Sequence, residues 1–108
     1  MYIRNMSAVV INKEKLLDLL HRNSDRIKSF GVKRIGLFGS FVRDMATAES
    51  DVDLLVEFDK NKKSFDNFME LGIFLEQVLE RKVELVTPQS LSKYIGPHIL
   101  KQVQDVNL

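Results

Sequence analysis

Two carboxylates stand two residues apart in the run Ser50-Asp51-Val52-Asp53-Leu54-Leu55-Val56-Glu57-Phe58, where Asp51, Asp53 and Leu55 alternate with Val52, Leu54 and Val56. Side chains of a strand repeat every second residue, so both aspartates face the same side. At ~4 Å and an effective dielectric of about 20, such a pair repels by roughly 4 kcal/mol before screening. A divalent cation is the simplest reason for the pair to persist. Hard oxygen ligands suit Mg²⁺, which takes one or two carboxylates and completes its shell with waters and substrate phosphates. The pair therefore points to phosphate chemistry.

Upstream, Ile35-Gly36-Leu37-Phe38 reads as a short apolar strand that ends at Gly39-Ser40, with a short helix expected from Phe41 to Met45. A glycine lets backbone approach a phosphate closely, exposed amides at a helix start donate to it, and the Ser40 hydroxyl adds a donor. Arg43 lies three residues on. The bland alternative for the whole run is an ordinary hairpin with two solvated aspartates.

The two halves, Gly39-Ser40-x-x-Arg43 and Ser50-Asp51-x-Asp53, together resemble the nucleotidyltransferase superfamily, whose signature is a Gly-Ser turn followed by an acidic-x-acidic pair on the next strand. The spacing looks most like the minimal nucleotidyltransferases, small antitoxin partners of HEPN-domain ribonucleases. The resemblance implies a polymerase-beta-like palm fold and a third carboxylate from the strand beside the acidic pair. Glu84, the only acidic residue of Val83-Glu84-Leu85-Val86, is the match; its bland reading is a charge on an exposed sheet face. Asp51, Asp53 and Glu84 would then hold two Mg²⁺ ions ~3.5 to 4 Å apart, with chemistry at the α-phosphate of ATP. Gly39 and Ser40 would grip the β- and γ-phosphates, while Arg43 would either neutralise developing charge or brace the turn.

The same resemblance implies an antitoxin that transfers AMP from ATP to a tyrosine of a HEPN-type toxin and forms a hetero-oligomer with it. No direct nucleic-acid contact is expected. Three positions depart from the family pattern: Val42 replaces a smaller residue, Asp44 a common glycine, and Glu84 the usual aspartate. None deletes a metal ligand, although the longer Glu84 must enter by a different rotamer. Two other classes stay open, a non-catalytic antitoxin acting by binding alone and a nucleotidyltransferase acting on a small molecule. Nothing in the chain reads the nucleobase.

Composition sets the outer bounds. With 108 residues the chain is expected to be one domain, 1–108, large enough for a core without staples. A formal charge of +1, with both signs interspersed, supplies no field committing it to nucleic acid or an acidic membrane. The absence of cysteine removes disulfides and thiolate chemistry, so any metal should be held by oxygen. The broken apolar run from Met1 to Ile11 is too irregular for a membrane span or secretory segment, and a cytoplasmic location is expected.

The elements that must position the site follow from periodicity. Asn12 is a candidate cap for a helix through Leu16, Leu17, Leu20, Ile27 and Phe30, weakened by the polar interval Arg22 to Asp25 and ending at Gly31. Val32 to Phe38 and Asp51 to Phe58 are the first two strands. The charged link Asp59 to Lys63 reads as solvated or as a basic contact. Ser64 can cap a second long helix with a broad apolar stripe of Phe65, Phe68, Met69, Ile73, Leu75, Val78 and Leu79. The short strand at Glu84 follows, then a turn at Thr87-Pro88 that would bury Leu91, Tyr94 and Ile95. Gly96-Pro97 should break the chain before a final helix carrying Ile99, Leu100, Val103 and Val106, for the core or for a partner. His21 and His98 have no second histidine at a ligand spacing and are assigned no chemistry. This order gives an α+β domain, a small mixed β-sheet with helices packed against one face.

Overall fold

The computed structural model describes residues 12–42, 50–91 and 96–108. Helix α1 (Lys13–Arg22) starts at Asn12, whose side chain accepts the Lys15 N–H at 2.9 Å and so satisfies one of the unpaired amides of the first turn. The polar interval does interrupt it. Asn23 Nδ2 donates to Leu19 O at 2.8 Å, a local bond that competes with helix continuation. Helix α2 (Ser24–Ser29) resumes beyond it, and Leu16, Leu20 and Ile27 are fully buried.

Strands β1 (Val32–Phe38) and β2 (Val52–Phe58) pair antiparallel, and β3 (Val83–Val86) lies parallel to β2. A parallel neighbour requires a crossover connection. Helix α3 (Phe65–Leu79) provides it, capped by Ser64 Oγ, which accepts the Asn67 N–H at 3.1 Å. Ile35, Leu37, Val52, Leu54 and Val56 point to one face and are buried with the helix leucines in a single core. The opposite face carries Phe38, Asp53, Leu55 and Glu57.

Two expectations are corrected. The stripe on α3 is not one buried face: Leu71, Leu75 and Leu79 are fully buried, whereas Phe65, Met69 and Ile73 are 76%, 46% and 55% exposed. Residues two apart lie roughly 200° around a helix, so the two rows point in opposite directions and only one meets the sheet. At the other end of the chain, α4 (Gly96–Gln102) stops short of Val106 and a two-residue strand β4 (Gln104–Asp105) follows. It pairs antiparallel with β1, giving the order β3-β2-β1-β4. Val106 N–H donates to Ile35 O at 2.9 Å and its side chain enters the core. The free edge of β1 captures this segment because unpaired strand amides and carbonyls need partners.

Pro97 sits in the first turn of α4, where a missing N–H costs nothing. Thr87 precedes a 3-10 turn at Pro88–Ser90 and Leu91 is half-buried, while Tyr94 and Ile95 lie outside the described residues. Helices α1 to α3 cover one face of the sheet; the C-terminal segment lies over part of the other. A Cβ at Gly36 would overlap Val103 Cγ1, so glycine there permits that close approach. Among the described residues, no helix is long and apolar enough to cross a membrane.

Candidate active site

The end of β1 and the start of β2 meet at a glycine. A 3-10 turn, Gly39–Phe41, follows β1 directly; residues 43–49, Arg43 and most of the helix expected from Phe41 to Met45 among them, lie outside the described residues. Gly39 has φ of +78°, a left-handed conformation that L side chains rarely adopt. A Cβ there would overlap Asp53 Oδ2 and lie 3.1 Å from its Cγ. The missing side chain thus makes room for a carboxylate against the turn.

Asp53 is registered between Phe38 of β1 and Glu84 of β3. Paired residues of adjacent strands share a face and sit ~4.8 Å apart, so Asp53 and Glu84 project side by side. Asp51, half-buried like Asp53, precedes the strand by one residue and continues its alternation. The register is fixed at its open end by two bonds. Val52 N–H donates to Lys82 O at 2.9 Å, and Val83 N–H donates to Glu76 Oε2 at 3.0 Å. A side chain of α3 thereby sets where β3 begins and which residue stands beside Asp53.

The chemistry of the donor set suits Mg²⁺. Asp51, Asp53 and the exposed Glu84 offer only oxygen, and the half-exposed aspartates leave a hydrated ion access. Among the described residues, no group of three His, Cys, Asp or Glu side chains is drawn together as a cation cage. Mg²⁺ does not require one, since one or two carboxylates plus waters and substrate phosphates fill its octahedral shell. The aspartate pair fits the ion; Glu84 shares their face as an adjacent carboxylate.

Farther along the same face lies a cavity of about 330 Å³ bordered by Gly36, Leu55, Glu57, Leu100, Val103 and Asp105. Its apolar floor begins two residues beyond Asp53. Arg34 Nη2 and Asp105 Oδ1, 3.3 Å apart and exposed, form an ion pair on its rim that contributes little to stability.

Of the site residues expected from sequence, the fold brings Gly39, Asp53 and Glu84 together, keeps Ser40 in the turn beside them and places Asp51 at the start of their strand. Arg81 was missed. Read from sequence, Arg81-Lys82 is a basic pair ending a helix, and only its burial singles it out. Phe41 was likewise read as the first residue of a helix, yet it is a core residue at 1% exposure.

Comparison with known proteins agrees with this geometry. Residues 14–106 match the family model described as a nucleotidyltransferase domain. A protein of the archaeon Thermococcus cleftensis named protein adenylyltransferase MntA is 37% identical over 95 residues, covering 87% of this chain and 95% of that one. A crystal structure described as a toxin-antitoxin with AMP-PNP superposes with a TM-score of 0.63 at 25% identity, over 90% of this chain and 73% of that one. A structure of a tri-AMPylated Shewanella oneidensis HEPN toxin in complex with MNT antitoxin shares the fold, with a TM-score of 0.60 at 20% identity over 84% of this chain and 71% of that one. With a carboxylate strand seated against a Gly-Ser turn and 93 of its 108 residues inside the matched region (14 to 106 inclusive), the chain belongs to the nucleotidyltransferase domain family.

Proposed function

We propose that this chain is an antitoxin that transfers AMP from ATP to a tyrosine hydroxyl of a HEPN-type toxin. The observation that carries the reading is the seating of Asp53 against Gly39, with Glu84 registered beside it, because it joins a phosphate-binding turn to a cation-binding carboxylate. The similarity to a protein adenylyltransferase, and the fold shared with the antitoxin bound to an AMPylated toxin, support the same acceptor class.

Asp51 and Asp53 would hold Mg²⁺, with Glu84 as third carboxylate able to extend the site to a second ion. A metal held by these carboxylates would supply a lowered pKa for an attacking hydroxyl and charge neutralisation for the leaving phosphates. Gly39 and Ser40 bind the β- and γ-phosphates through backbone N–H groups and the Ser40 hydroxyl, which leaves the α-phosphate facing the carboxylates. The acceptor oxygen forms a bond to the α-phosphorus, the bond from that phosphorus to the bridging oxygen breaks, and pyrophosphate leaves with the electron pair. The phenolic proton passes to solvent. A tyrosine hydroxyl, with a pKa of about 10, needs this electrostatic help to react at neutral pH.

Incubation with a HEPN-type partner, Mg²⁺ and labelled ATP tests the reading. Label at the α-phosphate should appear on the partner, and label at the γ-phosphate should not. Absence of both labels from the partner would leave an antitoxin that acts by binding; transfer of the γ-label would mean a different reaction.

A further inference from the structure

Arg81 is the one charged side chain buried among the described residues, at 7% exposure. Buried arginines are rare unless paired, so its contacts indicate its task. Its Nη1 donates to Ser50 O at 2.9 Å, and its guanidinium carbon lies 5.3 Å from the centroid of the Phe41 ring. Phe41 closes the Gly39-Ser40 turn, and Ser50 immediately precedes Asp51. One guanidinium therefore touches both halves of the site.

The backbone aims it there. Glu80, which ends α3, has φ of +52°, a left-handed conformation seldom found outside glycine and retained where its surroundings over-determine it. The chain reverses at Glu80, sends Arg81 inward, and reaches Glu84 three residues later. A planar guanidinium presents a face to an aromatic ring and an edge N–H to a carbonyl at the same time; an ammonium is a point donor that cannot do both.

The geometry points to Arg81 as a positioning residue that sets the distance between the phosphate turn and the acidic pair. It acts by holding Phe41 and the Ser50 carbonyl, and through them Ser40 and Asp51, and this role rests on the metal-assisted transfer proposed above.

The test is Mn²⁺ titration of the full chain, read by water-proton relaxation, beside steady-state transfer and circular dichroism, for wild type, Arg81→Lys and Arg81→Met. Loss of an interaction that orients metal ligands costs roughly 10- to 100-fold in affinity or activity. Mn²⁺ binding should therefore weaken by about 10-fold in Arg81→Lys and towards about 100-fold in Arg81→Met, with kcat falling in the same order. Wild-type Mn²⁺ affinity in either folded variant would overturn the assignment and leave Arg81 as a core brace. If Arg81→Met does not fold, Arg81→Lys decides alone. A wild type that binds Mn²⁺ yet transfers nothing would sink the transferase reading while the titration series still judges Arg81.

Discussion

Gly39 combines a left-handed φ of +78° with a carboxylate where its side chain would be. Gly39→Ala must shift either the turn or Asp53. Strain of about 1 to 3 kcal/mol is expected in stability, and transfer should fall by about 10²-fold, as when one preorganised donor is lost. Chemical denaturation and a transfer assay on the same preparation would show whether the loss of rate exceeds the loss of folded protein. Asp51→Asn with Asp53→Asn should abolish transfer and leave a folded domain, because asparagine keeps the size of the side chain while the cation-binding charge is lost; transfer at saturating Mg²⁺ would contradict the metal assignment. Glu84→Gln keeps size and removes charge. A fall of orders of magnitude at unchanged melting temperature marks it as the third ligand, and near-normal transfer marks an exposed sheet residue. The motif residues were legible in sequence because their chemistry lies in local spacing. Arg81 was not, since its partners Phe41 and Ser50 are 40 and 31 positions away, and no periodicity reports that separation.

At the scale of elements, α3 sets the register of the site through Glu76 and anchors the core through Leu71, Leu75 and Leu79. Leu75→Ala should destabilise the fold by about 2 to 5 kcal/mol in urea unfolding, the range for a buried leucine. Met69→Ser, on the opposite row, should stay within about 0.5 kcal/mol of wild type, which also checks the corrected reading of the helix. Helix existence, its Ser64 cap and the Asn12 cap could be read from residue type and period. Which of two apolar rows turns inward could not, because hydrophobic residues on both sides give the same composition. Strand β4 was invisible for a different reason: two residues carry no period, and Gln104 and Asp105 are a strand only because β1 offers an edge. The small residue that admits this segment, Gly36, was visible but uninterpretable without Val103 above it.

At the scale of the molecule, the carboxylates and the Gly39 turn gather on one side of the sheet. Asp53 and Glu84 lie on the sheet face that α1 to α3 do not cover, and among the described residues the cavity farther along that face holds only about 330 Å³. A protein acceptor can bring its own surface to such a site, and modification of that partner is the expected outcome. Co-expression with a HEPN-type toxin followed by intact-mass measurement tests it most directly. With the wild-type chain the toxin should be heavier by one or more adenylyl groups; with Asp53→Asn it should be unmodified but still bound. A toxin whose mass never changes, and whose toxicity is suppressed equally by both versions, would contradict the account.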